Sequence, residues 1–505
     1  MTFLPIVERE LRVSSRRKSN HYVRACAALL GMVIGFFMLL MTMLPGPAGG
    51  GFGAYMLNVL AWYALLMALL AGIFLASDTL SEERREGTLG LLFLTDLKGY
   101  DVVLGKFMAV SLNAFYGLLA VFPVLALCLL TGGVYFAEFW RTCLALLNLL
   151  FYSVAGGMLI SSFCRSSYRA MTGAIALLVV LLSFTCVAAA MNIHSLAVFS
   201  PFVAFLVAKD VNYIRLFREY WMSLAASNLT AWIFLGAAAW RMRSFVDDAK
   251  TGGAWERVFK RDLLGGSIVR RRPLLDVNPV LWLLDDSRRM RWAAWLLALG
   301  GVLAIIGMGG ISAGFLGGSS YVLWPVYFLL KILFAIQACR FFHEARRTGA
   351  LELLFCTPLT MREILRGQWM LLSRMFLWPV VTLLTAHLVA LCFLVAKTGQ
   401  LFGAVSGSPI PFNLFYLIYQ FKTIPNNAAD FIALAYFGMW LALSMPRPKM
   451  AAGLTLLCVV IIPMIAVCVP TLLTDTIFII IGAAKLPEDF RLLQAQWVNV
   501  KRAAE

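Results

Sequence analysis

Charged residues are scarce in this chain: only 14% of its 505 residues are Asp, Glu, Lys or Arg, whereas 61% are hydrophobic. A soluble domain of this size could not bury that much apolar surface, so a soluble fold is excluded and the bilayer is the expected solvent. The net charge of +17 is spread over short basic clusters between apolar runs. This distribution is typical of membrane-protein loops and predicts no nucleic-acid partner.

Residue patterns that would indicate catalysis or metal binding are missing as well. The ten cysteines form no CxxC pair and the four histidines lie far apart, so no metal site is predicted. No GxxxxGK[ST] loop follows a strand, and no HExxH, GxSxG or paired-carboxylate arrangement stands out. The chain is therefore predicted not to be an enzyme and to hold no cofactor of its own.

Long apolar runs are abundant, and about 20 apolar residues are enough for a helix to cross the hydrocarbon core. They predict an all-α polytopic membrane protein with about twelve transmembrane helices. The predicted spans are residues 25–44, 54–77, 103–131, 139–163, 170–192, 223–240, 293–316, 320–342, 367–396, 428–445, 450–468 and 470–485.

The distribution of basic residues predicts the orientation of these spans. Leu4, Val7 and Leu11 share one face of an N-terminal helix that should lie on the membrane surface. With the N-terminus inside, most of the 43 Lys and Arg residues fall on the cytoplasmic side. We therefore expect a multi-pass protein of the inner (cytoplasmic) membrane with both termini in the cytoplasm.

A repeated segment divides the chain into two halves. SEERREGTLGLLFLTDLKGYDVVLGK, after the second predicted span, aligns without a gap with HEARRTGALELLFCTPLTMREILRGQ after the eighth. The predicted domains are a six-span domain at 1–245 with the N-terminal interfacial helix, a cytoplasmic linker at 246–274 and a second six-span domain at 275–505. Six spans are an even number, so the halves should be parallel repeats, and a pore between them is the expected transport path.

The two copies of this segment, residues 81–106 and 343–368, are named the first and second coupling elements. Each begins with mixed charge and ends in a Leu-rich run, which predicts a helix that exposes ionic groups to the cytoplasm. The simpler interpretation is a charged loop that only sets topology, but duplication at fixed spacing favours docking of a soluble partner. The candidate contact residues are Glu82, Arg84, Arg85, Gly87, Thr88 and Leu89 in the first element and Glu344, Arg346, Arg347, Gly349, Leu351 and Glu352 in the second.

The pattern ExxRxGTLxLLxxTxL in the first element resembles the coupling region of ABC type-2 transporter permeases. The resemblance implies a membrane-spanning permease, an exporter in many such systems, coupled to two copies of a separate ATP-binding-cassette ATPase that binds ATP and Mg. Membrane lipids are the other expected partner, and the sequence does not identify the substrate. Gly90 and Asp96 depart from the family pattern where the second element has Glu352 and Pro358, so the two elements are expected to dock differently.

Lys331 lies near the middle of its predicted span, where an unpaired charge is costly. It is interpreted either as a contact for an anionic substrate in the translocation path or as a charge paired between helices. The alternative function is an ion-gradient-driven secondary transporter of about twelve spans, which would need acidic or histidine residues within its spans. No acidic residue is predicted near a span centre, which weighs against this alternative.

Overall fold

In a computed structural model of the chain, the described residues are almost entirely helical. They form two compact units, unit 1 at Met1–Lys260 and unit 2 at Arg261–Glu505. No strand occurs in the described part, in agreement with the predicted all-α class. The structure describes residues 12, 18–42, 52–86, 99–164, 167–190, 198–251, 278–284, 288–309, 319–348, 350–357, 359–397, 412–445, 448–465 and 471–504.

The helices of unit 1 are rich in Leu, Ala, Val and Phe, as expected of segments buried on all sides in protein or lipid. The last of them ends at Thr251, inside the predicted linker 246–274. The elements are α1 (Lys18–Thr42), α2 (Phe52–Leu70), a first π-helix (Ala71–Ala76), α3 (Thr79–Glu86), α4 (Gly99–Leu119), α5 (Phe122–Leu130), α6 (Phe136–Phe163), α7 (Ser167–Ala190), α8 (Pro201–Val207) and α9 (Asp210–Thr251).

Helix α2, the first π-helix and α3 follow one another as a single apolar helical segment, Gly53–Glu83. This rod packs closely on α6, because a Cβ added at Gly157 would overlap the carbonyl oxygen of Gly72. At the same contact, Oγ of Ser153 donates a hydrogen bond to the carbonyl oxygen of Ala68 at 2.6 Å. Small residues that let helix backbones approach are common at helix interfaces in membranes. This contact holds in place the rod Gly53–Glu83, and the first coupling element begins at the end of that rod.

Polar side chains inside unit 1 form hydrogen bonds between helices. Nδ2 of Asn148 on α6 donates to Oγ of Ser227 on α9 at 2.6 Å, and Nδ2 of Asn228 donates to Oδ1 of Asn148 at 2.5 Å. Arg24 on α1 donates to Oδ1 of Asn113 on α4 at 3.0 Å. In an apolar environment such groups must be satisfied within the protein, so Asn113 and Asn148 serve as helix–helix contacts.

Unit 2 is built from the same kind of apolar helix. Its core lies where the middle of one helix, Val326–Arg346, is almost completely buried by its neighbours. The elements are α10 (Pro279–Leu284), α11 (Arg288–Gly309), α12 (Ser319–Thr348), α13 (Ala350–Phe355), α14 (Met361–Lys397), α15 (Phe412–Ser444), α16 (Pro448–Leu456), a second π-helix (Leu457–Ile461), α17 (Ile462–Ile465) and α18 (Thr471–Ala504).

Two helix boundaries in unit 2 differ from the predicted spans. Helix α15 begins at Phe412 instead of near residue 428, because hydropathy is low across its aromatic and polar first part, which includes Pro425. Helix α18 continues to Ala504 instead of ending near residue 485. Hydropathy ends a span at the first charged residues, whereas Leu, Gln, Arg and Ala all favour continuation of a helix.

Each of the twelve predicted spans overlaps a helix of the structure. Among the described residues, seven helical segments are long and apolar enough to cross a membrane, and Ala27–Leu40, Met290–Val302 and Met450–Ile461 are shorter apolar helices. The polytopic α-helical class is therefore supported, while the twelve-span layout in two repeats stays a prediction. The seven segments are Gly53–Glu83, Gly99–Leu130, Phe136–Phe163, Asn212–Met242, Val326–Arg346, Met361–Val389 and Lys422–Ser444.

Candidate coupling elements and a buried charge cluster

The first coupling element begins on α3, and Asp78, the residue before that helix, connects it to a neighbouring helix. One carboxylate oxygen of Asp78 accepts a hydrogen bond from Ser81, and the other accepts one from Oγ of Ser167 at 2.7 Å. Asp78 is buried, and Ser167 is the first residue of α7. A buried carboxylate must have its acceptor oxygens satisfied within the protein, and here two hydroxyl groups do so. Asp78 therefore joins the first coupling element to α7.

Two further contacts attach α3 to neighbouring helices. Oγ of Ser161 on α6 accepts hydrogen bonds from the backbone N–H groups of Leu80 and Ser81, both at 3.0 Å. Lys106 on α4 forms an ion pair with Glu83, with 2.6 Å between Nζ and Oε1. Helices α4, α6 and α7 thus all contact α3.

The structure places only part of the first predicted site. Glu82 is exposed on α3, and the helix includes Arg84 and Arg85. Gly87, Thr88 and Leu89 lie outside the described residues. The structure therefore shows a charged helix end on which Glu82 is exposed. This end is directly continuous with a helix long enough to cross a membrane.

The second coupling element starts on the last turns of α12. Glu344 forms an ion pair with Arg340 one turn earlier, with 3.2 Å between Nε and Oε2. Nη1 of Arg346 donates a hydrogen bond to the carbonyl oxygen of Leu443, near the end of α15. Arg347 follows on the same helix and Gly349 lies outside the described residues. The second element is therefore attached to α15 through an arginine of the predicted motif.

Helix α13 gives the rest of the second element two distinct faces. Leu351 is buried, whereas Glu352 is exposed and Leu353 is 71% exposed. After α13, Oε2 of Glu363 accepts hydrogen bonds from the backbone N–H and the hydroxyl of Thr360, at 2.7 and 2.9 Å. This capping box begins α14 and is readable in the sequence as Thr-x-x-Glu.

Lys331 is buried inside unit 2 and has a definite partner. Its ammonium group forms an ion pair with Asp430 on α15, and the side chains are 9% and 11% exposed. Asp475 on α18 is fully buried, lies beside Asp430 and is within electrostatic range of Lys331. The expectation that no acidic residue lies near a span centre was wrong, because α15 begins well before the predicted span. The interpretation of Lys331 as a charge paired between helices agrees with this geometry.

Unit 1 contains a second charged cluster that sequence reasoning missed. Arg141 on α6 donates hydrogen bonds to Asp210 and, at 3.2 Å, to the carbonyl oxygen of Ala208. Its guanidinium lies 3.9 Å from the centre of the Tyr213 ring. A planar guanidinium can pair with a carboxylate and stack on an aromatic ring at the same time. This cluster fixes the start of α9 against α6, and no signal in the sequence links these distant residues.

The long apolar helices, their buried polar contacts and their charged ends define an integral membrane protein with several α-helical spans. Residues 17–228 match the family described as ABC-2 family transporter protein. The chain therefore carries a domain of the ABC-2 transporter family, which confirms the predicted resemblance to ABC type-2 permeases. The match includes residues 81–106, the first coupling element. None of the curated proteins matches the chain.

Proposed function

We propose that this chain is the membrane-spanning permease subunit of an ATP-binding-cassette exporter in the inner (cytoplasmic) membrane, with both termini in the cytoplasm. ATP hydrolysis then takes place on two copies of a separate ATPase, which bind ATP and Mg. The ABC-2 family domain at residues 17–228 supports the permease role. The direction of transport and the ATPase partner are proposed because the coupling elements resemble those of ABC type-2 transporter permeases.

The observation that carries the proposal is the continuity between membrane helices and coupling elements in both units. In unit 1 the apolar segment Gly53–Glu83 ends in the first element, and in unit 2 helix α12 ends in the second. Side-chain contacts from Lys106 and Arg346 attach these ends to neighbouring helices. A displacement applied at Glu82 or Glu344 would therefore be transmitted to the membrane helices, as ATP-driven transport requires.

The alternative is a secondary transporter driven by an ion gradient. One argument against it no longer holds, because Asp430 and Asp475 are buried acidic residues inside unit 2. The family match now carries the preference for the permease. An ATPase that co-purifies with the chain separates the two proposals, since a secondary transporter needs none.

Charge reversal at Glu344 tests the proposed coupling. The full chain carrying Glu344→Lys is purified from native membranes in mild detergent, and the ATPase activity that co-purifies is measured. We expect wild-type protein to retain an ATPase and the variant to lose the part of that activity contributed by the ATPase that docks at the second element. The reversal removes the ion pair with Arg340 and places like charges at positions 340 and 344, which together cost about 1 kcal/mol in a helix. This cost is too small to unfold unit 2.

Glu219→Lys is the matched control, because it makes the same charge change on α9. Glu219 lies between the fifth and sixth predicted spans, on the outer side in the predicted topology. It should leave the co-purifying ATPase activity at the wild-type level. If Glu344→Lys retains full ATPase activity, the second element is not the docking site. Wild-type protein that never retains an ATPase would support the secondary transporter.

A further inference from the structure

The charge balance of the cluster at Lys331, Asp430 and Asp475 is incomplete. Lys331 supplies one positive charge and is in contact with Asp430. Asp475 is fully buried, and no described residue donates a hydrogen bond to either of its carboxylate oxygens. If both carboxyl groups were ionised, the cluster would hold an excess negative charge away from water. A buried charge without a partner is strongly disfavoured, so a further positive species is required.

The position of Asp475 indicates what that species is. Helices α15 and α18 pack against each other, and the carboxyl groups of Asp430 and Asp475 interact within this contact. Two ionised carboxylates are acceptors only, whereas a protonated carboxyl group has one O–H to donate. A single proton therefore supplies both the missing charge and a hydrogen bond between the two side chains. Like-charged carboxylates that share a site generally retain one proton between them.

The elements packed around Asp475 supply few other charged groups in their described parts. Helix α15 supplies Asp430 and α12 supplies Lys331, while the second π-helix and α17 include Cys458 but no acidic or basic residue. Helix α13 also contacts α18, and its Glu352 is exposed. Asp475 follows the first turn of α18, where the favourable effect of the helix N-terminus on a negative charge has largely faded.

We propose that Asp475 carries a proton and donates it in a hydrogen bond to Asp430, so that Lys331, Asp430 and Asp475 form a proton-binding site inside unit 2. In this arrangement the three side chains together are neutral. On deprotonation the proton passes to water, and the two carboxylates then repel each other. This site goes beyond the proposed permease function and does not depend on the ATPase.

A metal cation is the competing occupant, because polar groups lie one turn before each aspartate. Nδ2 of Asn427 on α15 and Oγ1 of Thr471 on α18 have no hydrogen-bond partner among the described residues. Oxygen groups from Thr471 and the two aspartates would be the ligands of a Na⁺ or K⁺ ion, since hard cations take oxygen ligands. The experiment must therefore distinguish a proton from these two ions.

Infrared difference spectroscopy on the full chain in lipid nanodiscs detects the proton directly. Spectra at neutral and alkaline pH are compared for unlabelled protein and for protein labelled with ¹³C-aspartate. We expect a carboxylic-acid C=O band at neutral pH that shifts with the label and disappears at alkaline pH. Asp475→Asn should abolish the band, and Asp489→Asn, the same change further along α18, should retain it.

Asp475→Glu covers the case in which Asp475→Asn fails to fold. It keeps a carboxyl group that can hold the proton, so the acid band should persist but no longer respond to the aspartate label. The proposal is overturned if no label-sensitive acid band exists, or if the band is unchanged in folded Asp475→Asn.

Thermal melting in NaCl, KCl and choline chloride at equal ionic strength tests the metal cation. We expect equal melting temperatures in the three salts. Stabilisation by Na⁺ or K⁺ that Asp475→Asn removes would show that a metal cation occupies the site, and would overturn the proton proposal. Neither measurement involves an ATPase, so failure here leaves the permease proposal intact.

Discussion

At the scale of single residues, the most consequential feature is the ion pair between Lys331 and Asp430. Both side chains are buried within unit 2, on helices far apart in the sequence. A buried pair contributes little net stability, but removing one partner leaves an uncompensated charge and costs roughly 3–5 kcal/mol. The packing of α12 against α15 must therefore bring Lys331 and Asp430 into contact.

We predict that Lys331→Met lowers the melting temperature of the full chain in detergent, although it preserves most of the side-chain bulk. The stability cost should be in the range of roughly 3–5 kcal/mol, because Asp430 loses its counter-charge. Adding Asp430→Asn to Lys331→Met should recover part of the loss, since the double variant no longer carries the orphaned carboxylate. Melting followed by intrinsic fluorescence measures all three proteins.

Asp489→Asn is the control for the melting of these variants. Asp489 accepts hydrogen bonds from Trp440 and Ser444, and an amide oxygen can still accept both. If Lys331→Met melts like wild type but loses substrate-stimulated ATPase activity, then Lys331 contacts an anionic substrate and the structural role is wrong.

Sequence alone could single out Lys331 but not its partners. A lysine within an apolar run is conspicuous because charge is costly there. Asp430 falls near the start of the predicted span 428–445, and only the observed start of α15 shows that it lies well within a helix. Asp475 falls inside the predicted span 470–485, but nothing in the sequence links it to Lys331. The contact of Lys331 with the two aspartates depends on how α12, α15 and α18 pack. A hydropathy profile gives no information on this packing.

At the scale of helices, unit 1 depends on a close backbone contact between the rod Gly53–Glu83 and α6. A Cβ at Gly157 would meet the carbonyl oxygen of Gly72, a backbone atom that cannot move without shifting the helix. The continuity of this rod into α3 was predicted only as a span followed by a charged element. The π-helix and the glycine contact that shape the rod have no reliable signal in one sequence.

Gly157→Ala should destabilise unit 1 by about 1–3 kcal/mol, the usual cost of forcing extra atoms into a packed interface. Gly236→Ala on α9 is the control, because a Cβ there meets nothing within 4 Å. The control should be neutral or slightly stabilising, since alanine favours a helix more than glycine does. Thermal melting of the two variants in the same detergent makes the comparison. Equal melting temperatures would show that the two helices can separate without cost.

At the scale of the whole molecule, the first question is which side of the membrane the coupling elements face. The chain supplies natural reporters, because Cys356 and Cys392 are both exposed. Cys356 lies in the second coupling element, and about 45 Å of helix α14 separates Met361 from Cys392. This length exceeds the roughly 30 Å hydrocarbon core, so the two thiols should react from opposite sides of the membrane.

We predict that a membrane-impermeant maleimide labels Cys356 in inside-out vesicles and Cys392 in intact spheroplasts. Cys356→Ser and Cys392→Ser identify each signal by its loss. Labelling of Cys356 from outside would place the second coupling element on the outer face. In that case the predicted topology, and with it the proposed docking of an ATPase, would be wrong.

The last prediction concerns the composition of the complex. Units 1 and 2 each carry a coupling element, at residues 81–106 and 343–368, and the ABC-2 family match covers only the first of these units. If each element docks one ATPase, a single copy of the 56.0 kDa chain should bind two ATPase subunits. Native mass spectrometry of the complex, purified in mild detergent, measures this ratio directly.

Glu344→Lys should shift the population toward one ATPase per chain, because the first element remains intact. Two copies of the chain in a functional complex would show that each contributes only one docking site, and that the two units are not equivalent halves of one permease.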